Sequence, residues 1–149
     1  MTPVEKLEAR FPYMFAGESL SMEYYDGWLL IFAWACEQID AVLGENKRGF
    51  YWRQVKEKFG TARFYYRLGN AKRLIVDLSD GQGWHSVIKK PTKAGDPVAD
   101  RIDAIVDEAE ARTGSACMRC GAAAKTRAYD GYYLTLCKLH VPPRRNQQS

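Results

Sequence analysis

Two short ligand pairs near the C-terminal end constrain this chain more than any other feature. They are Cys117-x-x-Cys120 and Cys137-x-x-His140, with sixteen residues, Gly121 to Leu136, between them. An x-x spacing lets two donors from one tight turn reach the same ion. Gly121, directly after Cys120, supplies the permissive backbone such a turn often requires. Between the pairs, Thr126-Arg127-Ala128-Tyr129 and Tyr132-Tyr133-Leu134-Thr135-Leu136 flank Asp130-Gly131, a strong short hairpin signal. A hairpin carries the second pair back to the first and predicts a zinc-ribbon-like module over residues 115–141, with Cys117, Cys120, Cys137 and His140 as ligands of one Zn²⁺. All four coordination positions are filled by protein, so the expected zinc is structural. Sites of this kind contribute on the order of 10 kcal/mol of apparent folding free energy. A thioredoxin-like redox pair at Cys117 and Cys120 is the rival reading. It is disfavoured because no strand directly precedes the motif and a second ligand pair follows.

The fourth cysteine, Cys36, stands alone in an apolar helical pattern and reads as a buried small hydrophobe. The longest uninterrupted apolar run, Trp28 to Cys36, is nine residues. A bilayer span needs roughly 20, so neither a membrane helix nor a membrane partner is expected. The first residues lack the basic-then-apolar order of a secretory signal, which predicts a reducing, cytoplasmic setting where thiols serve metals better than disulfides. With 149 residues, 46% of them hydrophobic and 27% charged, the chain can bury a core without cross-links. The net charge of +4 says little about partners.

The pattern along the chain predicts an α+β fold. A helical N-terminal part precedes a small antiparallel sheet, and a long helix then leads into the C-terminal hairpin. Thr2, Pro3 and Glu5 form a capping box for a first helix that Pro12 stops. Trp28, Ile31, Phe32, Ala35, Ile39, Val42 and Leu43 recur at helical spacing, with Asp26 as the expected cap and Gly44 as the end. Residues Tyr51 to Lys58 suggest a short helix. Thr61 to Leu68 and Arg73 to Leu78 suggest a hairpin through Gly69-Asn70, and Trp84 to Ile88 a third strand. Asp96-Pro97 opens the second long helix, which buries Val98, Ile102, Ile105 and Ala109. It turns Asp100, Asp103, Asp107, Glu108 and Glu110 outward and ends near Gly114. Residues 1–114 form the expected core unit and 142–149 a polar tail.

Nine cations fall between Lys47 and Arg73, against the single acid Glu57, and aromatic residues are interleaved with them. Arg53, Lys56, Lys58, Arg63, Tyr65 and Arg67 are therefore candidates for a nucleic-acid or partner surface, where cations meet phosphates and rings stack on bases. The plainer account is a half-buried sheet with Arg63, Tyr65 and Arg67 toward solvent and Phe64, Tyr66 and Leu68 inward. A third account has this basic stretch and the acidic helix attract each other, within the fold or in a homodimer. Catalysis has weak support. Asp77, Asp80 and His85 lie close in sequence, but Asp80-Gly81-Gln82-Gly83 reads as a turn. No phosphate-binding loop, nucleophile elbow or zinc-deaminase motif is present.

Lys56-Glu57-Lys58-Phe59-Gly60-Thr61-Ala62-Arg63-Phe64-Tyr65, the helix segment Ile105 to Glu110, Cys117-x-x-Cys120-Gly121 and Leu134-Thr135-Leu136-Cys137-x-x-His140 occur in that order. Over about residues 50 to 140 the chain resembles a family of small proteins encoded by bacteriophages and prophages. It departs from that pattern in having Tyr132-Tyr133 where a tryptophan is expected, and in the length of Gly69 to Gly95. The resemblance implies zinc binding and a mobile-element context. The expected function is a non-enzymatic interaction protein that binds a host or phage protein complex, for example as an anti-defence inhibitor such as an anti-CRISPR protein. A nucleic-acid-binding regulator using residues 47–73 and a metal-dependent enzyme around Asp77, Asp80 and His85 are the alternatives.

Overall fold

The computed structural model describes residues 1–18, 21–69, 71–79, 81, 83–89 and 95–142. The expected turn residue Asn70, the candidate Asp80, and the tail from 143 lie outside the described residues. The architecture is α+β. Helix α1 (Pro3–Arg10) opens on the expected capping box, with the Thr2 hydroxyl accepting from the Glu5 N–H and the Glu5 carboxylate from the Thr2 N–H. A 3₁₀ turn (Pro12–Phe15) and the two-residue strand β1 (Ser21–Met22) follow. Asp26 does not cap the next helix but begins a 3₁₀ turn (Asp26–Trp28) that runs into α2 (Leu29–Leu43) without a side-chain cap. Gly44, at φ 62°, ends α2 in a conformation that costs glycine least.

The main sheet is ordered β1-β2-β3-β4, with β2 (Tyr51–Lys58), β3 (Thr61–Leu68) and β4 (Ala71–Lys72). The segment 51–58 is therefore a strand, not the short helix expected. The reason is a bulge. Trp52 pairs with Tyr66 and Gln54 with Tyr65, so one extra residue sits between them. The bulge puts the inward-facing Trp52 and Val55 three residues apart, a spacing that imitates a helix.

The hairpin expected after β3 is also cut short. Ala71 and Lys72 pair with β3, and the Arg73 N–H adds one more bond to it, at the Tyr66 carbonyl. The next residue, Arg73, is fully buried and donates to the Phe64 carbonyl, to both oxygens of Glu110 and to Asp107. That anchor turns the chain away from β3. Beyond it, β5 (Leu74–Ser79) pairs with β6 (Trp84–Lys89) as a separate two-stranded ribbon.

Helix α3 (Pro97–Thr113) starts at Asp96, whose carboxylate accepts from the Ala99 N–H and pairs with Arg48. It packs on α2 and β3. The core lies between one face of the main sheet (Trp52, Val55, Phe64, Tyr66, Leu68) and the inner faces of α2 and α3. Phe32 is its hub, with ring centroids 5.0 Å from Trp52 and 5.3 Å from Phe64. Cys36 is buried among these residues, as expected. The acidic face of α3 is less solvated than its pattern suggests. Asp103 is buried and accepts from the Tyr66 hydroxyl, while Asp107 and Glu110 hold Arg73. Burial first, and then the Asp103 carboxylate, raise the Tyr66 phenol far above its ordinary range, so it remains a donor.

Candidate metal centre

After α3 the chain makes a knuckle at Cys117–Gly121. It then forms the hairpin of β7 (Lys125–Tyr129) and β8 (Tyr132–Leu136), turning at Asp130-Gly131, and makes a second knuckle at Cys137–Val141. The knuckles are alike. The Gly121 N–H donates to the Cys117 carbonyl at 2.7 Å, and the Val141 N–H to the Cys137 carbonyl at 3.1 Å. Gly121 sits at φ 82°, where a β-carbon would be strained.

The hairpin brings the two pairs together as the spacing predicts. The Sγ atoms of Cys117, Cys120 and Cys137 and a ring nitrogen of His140 all lie within 4.8 Å of one another. Sγ of Cys120 is 3.6 Å from that of Cys137, and His140 Nδ1 is 3.1 Å from Cys137 Sγ and 3.5 Å from Cys117 Sγ. An ion with tetrahedral bonds of about 2.3 Å to sulfur and about 2.0–2.1 Å to nitrogen separates its sulfurs by about 3.8 Å and each sulfur from nitrogen by about 3.5 Å. The Cys120–Cys137 and Cys117–His140 separations lie near that frame and Cys137–His140 is shorter; with all four donors within 4.8 Å of one another, the cluster could hold a metal ion. Cys117 and Cys137 are buried, His140 is half-buried and Cys120 is exposed.

The local fields act on two of the sulfurs in opposite directions. Burial pushes the Cys117 thiol up, but backbone contacts from Cys137, Arg119 and Cys120, and then His140, outweigh it and bring the group down to about 6. At Cys120 a backbone contact from Ala122 favours the thiolate, yet burial and the neighbouring sulfurs of Cys137 and Cys117 carry it upward. Thiolates this close repel one another, and a bound cation offsets that cost.

The centre is rooted in the rest of the fold by contacts that sequence reasoning missed. The Gly27 N–H donates to the Met118 carbonyl, and the Trp28 indole to that of Ala116. The buried Thr135 hydroxyl donates to the Gly60 carbonyl, and Thr126 and Thr135 share a hydrogen bond. Ala116 and Met118 belong to the main core. A glycine beside the aromatic Trp28 was the only hint of this docking, and it is indistinguishable from a turn signal in one sequence.

The surface candidates separate. Arg63 and Tyr65 are buried at 7% and 9% exposure, not solvent-facing, and Arg63 is covered by Asp77 and Ser86 of the β5–β6 ribbon. Arg63 makes two hydrogen bonds to Asp77 and one to Ser86. Arg53, Lys56, Lys58 and Arg67 are half-buried. Lys56 lies over the Tyr65 ring and Lys58 over the Phe59 ring. Asp77 and His85 are not brought together: Asp77 pairs with Ser86 and Leu78 with His85, so the two side chains fall on opposite faces of the ribbon.

These features define the class, an α+β protein carrying a Cys₃His cluster with metal-binding geometry. Comparison of the chain with protein-family models, with curated proteins and with solved structures finds no match.

Proposed function

We propose that Cys117, Cys120, Cys137 and His140 hold one Zn²⁺ in a closed, structural site, and that the protein is a non-enzymatic binding protein fastened by it. The single observation behind this reading is the donor set, three sulfurs and one ring nitrogen within 4.8 Å of one another; four protein ligands on one ion would fill a tetrahedron and leave no position for substrate. The hydrogen bonds that tie both sides of the cluster to Gly27, Trp28 and Gly60 support a fastening role, because they transmit the site's order to the core and the main sheet. The hairpin between the ligand pairs is the zinc-ribbon-like module of this reading.

The resemblance to phage and prophage proteins frames the partner as a host or phage macromolecular machine in the cytoplasm, with inhibition of a defence system as the form of action. Two measurements on one preparation test the proposal. Elemental analysis is expected to give one zinc per folded chain, and affinity capture from host lysate is expected to retain a stoichiometric complex. Native protein without metal, or a metal centre with a solvent ligand in its X-ray absorption spectrum, would overturn the structural-zinc reading. Failure to retain any macromolecular partner would overturn the binding reading.

A further inference from the structure

The β2–β3 hairpin turns through Phe59 and Gly60 at φ 56° and 87°, and the β7–β8 hairpin through Asp130 and Gly131 at 50° and 88°. Two-residue loops with positive φ at both positions are type I′ turns, which favour Asn-Gly or Asp-Gly. The second hairpin obeys this preference and the first does not. A bulky residue at positive φ is an outlier that persists only where its surroundings hold it. Here they do. The Gly60 N–H donates to the Glu57 carboxylate and the Gly60 carbonyl accepts from Thr135. A β-carbon on Gly60 would lie 2.9 Å from both the Thr126 methyl and the Tyr133 carbonyl oxygen. The metal-bearing hairpin thus clamps the turn, yet the strained ring is not consumed as core, for Phe59 is 37% exposed.

The ring's neighbours point to a ligand chemistry. The Lys58 ammonium is 4.9 Å and the Arg63 guanidinium 5.8 Å from its centroid. Tyr133, 53% exposed, meets it edge-on at 6.4 Å. Lys56 and Arg67 continue the basic row on the same sheet face, and among the described residues neither Lys56 nor Lys58 forms an ion pair. Trp84, 63% exposed, is on the ribbon face that carries Asp77 and Ser86 over Arg63. Arg63 is engaged by Asp77, but the exposed rings beside Lys56 and Lys58, which form no ion pair among the described residues, complement a chain of planar bases and phosphates. An acidic peptide would satisfy the cations and leave the rings uncovered.

We propose that the Phe59 turn is a stacking platform for single-stranded nucleic acid, with Phe59 and Tyr133 receiving bases and Lys56 and Lys58 receiving phosphates. This rests on the reading of the chain as a zinc-fastened binding protein and names its partner class. The test is fluorescence anisotropy of a labelled oligothymidylate of more than ~16 nucleotides with the zinc-loaded full chain. Binding is expected at low salt and falls as salt rises. Phe59→Asn, which suits the turn, is expected to keep or raise the melting temperature while weakening binding roughly 5- to 150-fold, the equivalent of a stack worth about 1–3 kcal/mol. Tyr133→Ala should weaken it too, and Lys58→Gln should shrink the salt slope by about 0.7. Unchanged affinity in Phe59→Asn or Tyr133→Ala would overturn the proposal, as would equal competition by polyglutamate or duplex DNA. A folded, zinc-loaded chain that binds no oligonucleotide defeats this proposal alone, whereas a chain without zinc defeats the reading beneath it.

Discussion

Gly27 lies against the backbone of the first knuckle, and there a single methyl decides whether two parts of the protein can meet. A β-carbon at this position would stand 1.9 Å from the Cys117 carbonyl oxygen and 2.7 Å from the Gly121 nitrogen. Both obstacles are backbone, so neither can swing aside. Gly27→Ala is expected to cost at least the roughly 1–3 kcal/mol typical of overpacking, seen as a lower thermal midpoint, and to speed metal release to a chromophoric chelator. An unchanged midpoint would show that the knuckle is not docked this way. Arg73 illustrates the opposite kind of residue. Its charge is fully buried and is offset by Asp107 and Glu110 from α3. In the sequence it is one cation among nine, and nothing local marks it as interior. Its partners lie 34 and 37 residues downstream, so only tertiary packing distinguishes it from the exposed members of the same stretch.

Among the elements, the β5–β6 ribbon is a two-stranded sheet of its own with largely exposed strands. A two-stranded hairpin is at best marginally stable alone. Leu74, Val76, Leu78 and Val87 on one of its faces are each about two-fifths exposed. What ties the other face to the sheet is the Arg63–Asp77–Ser86 cluster. The Arg63 hydrogen bond first, and then that from Ser86, hold the Asp77 carboxyl down at about 2. A folded value below the unfolded one, about 3.9, means that the contribution is fully present above the unfolded value and is lost as pH falls through about 2. Hydrogen exchange is expected to rise selectively in 74–79 and 84–89 between about pH 4 and 2, and Asp77→Asn should show the faster exchange already at neutral pH. Equal protection in variant and wild type would mean that another contact holds the ribbon. Element boundaries were legible where local rules governed them: the capping box at Thr2, the Asp96-Pro97 start and the Asp130-Gly131 hairpin are each set by neighbours in sequence. The bulge in β2 was not legible, because its inward positions obey a helical spacing as well as a bulged strand.

For the whole molecule, the Cys₃His cluster is joined to the core by packing and by hydrogen bonds. Met118 and Ala116 belong to the main cluster, and Thr135 reaches across to Gly60. Removing the metal with a strong chelator, or substituting Cys120→Ser, is therefore expected to lower the thermal midpoint of the entire chain in a single transition. The effect of chelation should reverse on adding zinc. A transition confined to the hairpin, with α2 and α3 unaffected in far-ultraviolet dichroism, would show the two to be separable. The Cys₃His cluster, which could hold a metal ion, was readable in advance because two x-x pairs and a hairpin signal are local patterns. The helix stripes and the α+β class were readable for the same reason, since burial imposes its period on neighbouring residues. Only the tertiary structure decided which cations are interior, that the ribbon meets β3 at Arg63, and that Phe59 is held in a positive-φ turn beside the β7–β8 hairpin. Those outcomes depend on contacts between residues far apart in the chain, and hydrophobic periodicity carries no record of which distant partner a charge or an exposed ring will meet.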